Sequence, residues 1–113
     1  MKKIAVPITE EGTLDAHFGH CKYFALVDVD GDDITSEEII QAPPHEPGLL
    51  PKWLAQKGTT DVLAGGMGNR AIQHFNEHNV NVFVGAPADL SVRDLITGFI
   101  NNSIKFTANC CDH

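Results

Sequence analysis

Positive charge is scarce in this chain: eight lysines and arginines stand against fifteen aspartates and glutamates, a formal net charge of −7 over 113 residues. That balance argues against neutralising a polyanion, so nucleic acid and anionic membrane surfaces are poor partners. Long apolar runs are missing too. The stretch after Lys2-Lys3 extends only from Ile4 to Ile8 and is broken by Pro7, and nothing approaches the roughly 20 apolar residues of a membrane span. The expected location is the cytoplasm. Cysteine is sparse: Cys21, Cys110 and Cys111 cannot all pair within one chain, and the adjacent pair would strain a disulfide across a trans peptide. Free thiols, available as ligands or nucleophiles, are expected instead. With no internal repeat, low-complexity tract or linker, a single domain over residues 1–113 is expected, with a Cys/His tail at about 109–113. A chain of this size buries roughly two-thirds of its unfolded surface and needs no metal to fold.

What is present is a clear succession of periods. Ile4, Val6 and Ile8 alternate with Lys3, Ala5 and Pro7 as a first strand, and a second runs from Lys22 to Asp30. Asp30-Gly31 is a hairpin signal, and the β-branched run Ile34 to Gln41 returns as a third, antiparallel strand. Leu50, Trp53 and Leu54 then share a helical face that Pro51 opens and Gly58 closes. Asp61 to Ala64 reads as a strand, Asn69 to Asn79 as a helix with the stripe Ala71, Ile72 and Phe75, and Val80 to Val84 as a further strand. Pro87 opens a third helix carrying Val92, Leu95, Ile96, Phe99 and Ile100. The order β-β-β-α-β-α-β-α predicts an α/β fold, with a five-stranded mixed sheet, three helices and right-handed parallel crossovers added to an antiparallel meander.

In such a sheet the loops at the carboxyl ends of the parallel strands converge, and that is where ligands bind. Here they bring together His17-Phe18-Gly19-His20-Cys21, His45, the Gly65-Gly66-Met67-Gly68 turn, Gly85 to Asp89 and two helix N-termini. Two imidazoles and a thiol within five residues, with a glycine that lets the backbone fold back, can present soft and borderline donors to one metal or cluster. The glycine turn offers bare amides and a positive helix end to an anion, or is simply a tight turn needing positive φ. It lacks the Lys-Ser/Thr of a phosphate-binding loop, and no acidic ribose-binding residue follows at the expected distance. Ile104, Phe106 and Ala108 alternate after the third helix; a climbing segment there would bring Cys110, Cys111 and His113 to the same edge, whereas a frayed terminus would not. His74-Phe75-Asn76-Glu77-His78 matches an inverted zinc-peptidase pattern, but it sits off the buried stripe in the last helical turn and reads as surface. Asp28, Asp30, Asp32 and Asp33 read as solvated carboxylates of the hairpin at the opposite edge.

Ile4-Ala5-Val6-Pro7, His17 to Cys21 leading into Tyr23-Phe24, Gly65-Gly66-Met67-Gly68 with Ala71, and Val84-Gly85-Ala86 together resemble the dinitrogenase iron-molybdenum cofactor-binding family. The resemblance spans essentially the whole chain. It implies a ribonuclease H-like α/β domain that binds or carries an iron-sulfur or molybdenum-containing cluster without turnover, and it places cofactor-binding positions at His17, Phe18, Gly19, Gly65, Gly66 and Gly68. Metal-ligand roles for His20, Cys21, Cys110, Cys111 and His113 rest on their chemistry more than on the family. The fold label implies no nuclease, since fold does not carry function.

The expected activity is therefore non-catalytic carriage of an anionic cluster in cofactor assembly or storage, with cluster donor and acceptor proteins as partners. The chain is expected to be a monomer, or a weak homodimer paired through the exposed third strand. Two rivals stand beside this reading: a small thiol-based or metal-dependent enzyme using Cys21 activated by His20 or His17, and a metal-free module that binds an anion or a partner's carboxylate.

Overall fold

The computed structural model describes residues 2–14, 22–43, 49–87 and 90–109. Strand β1 (Lys2–Ile8) pairs antiparallel with β2 (Tyr23–Asp30), which pairs antiparallel with β3 (Asp33–Gln41) across the Gly31-Asp32 turn. The chain then alternates: α1 (Leu49–Gln56), β4 (Asp61–Leu63), α2 (Asn69–Glu77), β5 (Asn81–Val84) and α3 (Val92–Ile100). β4 runs parallel to β1, and β5 parallel to β4, giving the expected mixed sheet. A short strand not expected as a separate element, β6 (Thr107–Asn109), extends it, so the strand order is β3-β2-β1-β4-β5-β6.

Period-two alternation divides the core between the two faces. Ile4, Val6 and Ile8 of β1, with Ala25, Val27 and Val29 of β2, point to the face covered by Val92, Leu95 and Ile96 of α3. Ala5, Phe24, Leu26, Val62 and Val82 point to the other, covered by Leu50 and Leu54 of α1 and Phe75 of α2. Gly58, at φ +88, ends α1 as its position predicts. At the edge opposite the convergent loops, the buried Asp61 carboxylate accepts from the Thr60 hydroxyl at 2.8 Å and the Asn81 amide at 3.3 Å. Those bonds satisfy a charge that burial would otherwise penalise.

One expectation is corrected, and one of two open alternatives is excluded. The third helix begins at Val92 rather than at Pro87, because Ser91 is committed to an antiparallel bridge with Thr13 and its side chain accepts the Asp94 N–H at 3.2 Å as an N-cap. The segment after α3 does not end in a climb: β6 pairs Thr107 with Val84 and Asn109 with Val82, so it descends antiparallel to β5. Its last described residue therefore heads away from the edge to which a climbing segment would bring Cys110, Cys111 and His113, which lie outside the described residues. Ile104 reaches its place because α3 offers Gly98 beneath it; a Cβ on Gly98 would lie 2.3 Å from Ile104 Cδ1.

Candidate functional site

The carboxyl ends of β1, β4 and β5 form one edge, and backbone bonds lock the segments that leave them. After β1 the chain turns back: the Thr9 N–H donates to the Thr13 carbonyl at 2.8 Å, Leu14 bridges Ile8, and the Leu14 N–H donates to the Leu90 carbonyl at 3.3 Å. After β4, Gly65 accepts from the Gly85 N–H at 3.1 Å and Ala64 from the Ala86 N–H at 3.1 Å, which joins the glycine turn to the loop leaving β5. Gly85 holds φ +92, a left-handed conformation that a side chain would strain.

The glycine turn itself is not explained by conformation. Neither Gly66 nor Gly68 has a positive φ; Gly68 sits at φ −67, ψ 151, which any residue adopts. Nor is either crowded by the described residues, since a Cβ built on each meets none of them within 4 Å. The tight-turn reading therefore does not account for these two glycines. Among the described residues, what they do is leave open space over exposed backbone at the start of α2.

Among the described residues, that helix start is electrostatically unanswered. Gly68 is the N-cap of α2 and offers no side-chain acceptor, and the first turn carries no acidic residue but an exposed Arg70. α3 makes the contrast: Ser91 caps it and Asp94 lies in its first turn. The first amides of a helix point along its axis and carry the positive end of its dipole. Of the two helix N-termini expected at this edge, α3 is answered by its own residues, and α2 presents its amides to whatever occupies the edge.

Of the expected site residues, Gly65, Gly66 and Gly68 lie together in this turn. His17, Phe18, Gly19, His20, Cys21, His45, Cys110, Cys111 and His113 lie outside the described residues. The described residues that flank residues 15–21 are Leu14, which bridges Ile8, and, beyond Lys22, Tyr23, which pairs with Ile8. Leu14 and Tyr23 therefore both lie at the carboxyl end of β1. Among the described residues no group of three His, Cys, Asp or Glu side chains is arranged to hold a metal. His74 and Glu77 of the peptidase-like pattern form only a surface pair, 3.7 Å apart. The anchoring of residues 9–14 to Leu90 and Ser91 went unread in the sequence, although Ser91-Val92-Arg93-Asp94 carries the spacing of an N-cap and its acidic N3 residue.

Two cavities, of about 360 and 340 Å³, lie elsewhere. Both are bordered by Phe83, Phe99 and Asn102, and neither touches the glycine turn. Phe83, Phe99 and Phe106 pack edge-on with centroids 4.8 to 6.4 Å apart, which is the geometry of core aromatics.

Residues 1–102 match the sequence profile of the family described as dinitrogenase iron-molybdenum cofactor. The crystal structure of PH0822 superposes with a TM-score of 0.81 at 32% identity, covering 93% of this chain and 96% of that one. The apo form of the orange protein from Desulfovibrio gigas superposes with a TM-score of 0.78 at 23% identity, over 95% and 93% of the two chains, and so supports the fold. In sequence, the uncharacterized protein MJ0580 of Methanocaldococcus jannaschii is 28% identical over 88 residues, 74% of each chain.

Proposed function

The chain belongs to the dinitrogenase iron-molybdenum cofactor family, and on that premise we propose that it holds an anionic iron-sulfur or iron-molybdenum-type cluster as cargo, without turning it over, and passes it between donor and acceptor proteins. The supporting observation is the cradle that the described residues leave open over Gly66 and Gly68, which neither φ nor crowding among them requires, at the N-terminus of α2, where Gly68 gives no side-chain cap. In this reading the α2 amides stabilise the negative charge of the cargo, each helix-end interaction contributing about 0.3 to 1 kcal/mol. Cys21 and His20 supply direct bonds to metal, and His17 acts as a ligand or hydrogen-bond donor. The net charge of −7 opposes an anionic cargo, but salt screens charges beyond about 8 to 10 Å, so local amides and imidazoles prevail. The ribonuclease H-like label and a cytoplasmic site of action belong to this proposal and bring no nuclease chemistry with them.

The descent of β6 bears on the tail. We assign Cys110, Cys111 and His113 to capture or release of metal rather than to closure of the glycine cradle. The metal-free anion module remains a second reading, favoured by the same open amides. Anaerobic reconstitution of the apo-protein with iron and sulfide, with and without molybdate, separates the two. The carrier develops a visible charge-transfer band that is lost in Cys21→Ser and weakened in Gly66→Val; the anion module develops none.

A further inference from the structure

Among the described residues β3 has β2 as its sole neighbour, and its other edge pairs with none of them. Sheets guard such edges with short strands, prolines, bulges or charged side chains, lysine above all, because free N–H and C=O groups template further pairing; the carboxylates of Glu37 and Glu38 guard this edge against an acidic partner and leave it open to a basic one. The nine residues of β3 contain neither proline nor lysine. A register shift sets Thr35 aside between Ile34 and Ser36, but from Ser36 to Gln41 the pairing with β2 is continuous. That stretch is a regular, solvent-facing edge.

Its side chains fall into two pairs. Glu37 and Ile39 stand on the α3 face, opposite Val27 and Ala25; Glu38 and Ile40 stand on the other, opposite Leu26 and Phe24. Ile39 is 58% exposed and is the exposed large apolar residue among those described. All ionisable groups on the strand, Asp33, Glu37 and Glu38, are acidic, and the neighbouring cation is Arg93 of α3, 3.6 Å from Glu37. A second copy of the chain is a poor occupant. Antiparallel self-pairing over Ser36 to Gln41 would set Glu37 opposite Ile40 and Glu38 opposite Ile39 of the other copy, bring the glutamates of the two copies only diagonally together, and join two chains of charge −7; the strand carries no lysine or arginine, so a second copy offers its carboxylates no cation.

We propose that the Ser36 to Gln41 edge docks an extended segment of a partner protein by strand addition, the segment carrying two apolar residues followed by two basic ones when it runs antiparallel to β3. Main-chain bonds supply affinity, apolar residues cover Ile39 and Ile40, and basic residues meet Glu38 and Glu37. Gln41 pairs with Tyr23, which pairs with Ile8, so the upper end of the docked segment lies at the same edge as the glycine turn. A partner held there is beside the place of transfer, but the docking itself does not depend on any cargo.

The test is amide NMR on the metal-free protein with the capped peptide Thr-Val-Val-Lys-Lys-Thr, its Glu-Glu counterpart, and a copy methylated on the alternate amides that face β3. Saturable shifts confined to residues 36–41, weakened by salt, abolished by methylation and about tenfold weaker for the Glu-Glu peptide, support the proposal. Glu38→Lys, an exposed change whose amide spectrum reports that it folds, should reverse the preference between the peptides. Absence of shifts at 36–41, binding that survives methylation, or a dimer of the free protein by sedimentation that Ile39→Lys dissolves would each overturn it.

Discussion

Replacing Gly68 by aspartate should make the protein more stable and worse at holding its cargo. The backbone at φ −67, ψ 151 accepts a side chain, and the new Cβ meets none of the described residues within 4 Å. An aspartate at the N-cap bonds a first-turn amide, which relative to glycine contributes a few tenths of a kcal/mol. Its charge against the helix dipole adds about 0.3 to 1 kcal/mol, and restricting the unfolded chain adds about 0.4 to 1 kcal/mol. Together these give about 1 to 2 kcal/mol, a rise in Tm of about 4 to 8 °C for a domain of this size. The charge-dependent part has a defined sign. A carboxylate beside a helix N-terminus has its folded pKa depressed, so its contribution is fully present above the unfolded value of about 3.9 and fades as pH falls through the lower folded value. Gly68→Asn should keep the cap and lose that pH dependence. The same carboxylate occupies and repels the place where an anionic cluster would sit, so reconstitution of Gly68→Asp should fail while its Tm rises. Thermal denaturation and cluster uptake on one preparation decide it: a stabilised variant that loads as fully as the parent would refute the cradle, and a lower Tm would refute the claim that the α2 terminus is unanswered.

Three further outcomes follow from the packing. Gly98→Val should cost about 1 to 3 kcal/mol by overpacking against Ile104 and should speed amide exchange at residues 107–109; adding Ile104→Ala should restore part of both, read by a double-mutant cycle in urea. Ser91→Ala removes the acceptor of the Asp94 N–H and should lower stability by about 1 kcal/mol, measured as a shift in the urea midpoint with unchanged slope. Phe75→Ala, at a side chain that is 0% exposed, should cost about 3 to 5 kcal/mol in the same assay, and a loss under 1 kcal/mol would contradict its place in the core.

The strands and helices were legible where burial imposes a period. Ile4, Val6 and Ile8 read as one face because α3 covers that face, and Leu95, Ile96 and Phe99 read as a helix for the matching reason. β3 was visible by a different route: its side chains are largely exposed, and the turn at Gly31 placed it as much as its β-branched residues did. The start of α3 was misread because Pro87 is a strong local opener, whereas the bridge from Thr13 to Ser91 is a tertiary constraint that no local pattern carries. The same holds for β6, whose direction is set by pairing with β5 rather than by its own alternation. In the site, the glycine turn was legible as a feature but not in its meaning. Only the structure separates Gly85, which needs its conformation, from Gly66 and Gly68, which do not.

The most direct test of the central claim is the metal and acid-labile sulfide content of the protein purified anaerobically, beside Cys21→Ser and a variant ending at Asn109. The account predicts substoichiometric metal with sulfide in the parent, loss of both in Cys21→Ser, and retention in the shortened variant because β6 leads away from the cradle. A colourless parent, free of metal and unable to take up a reconstituted cluster, would contradict it.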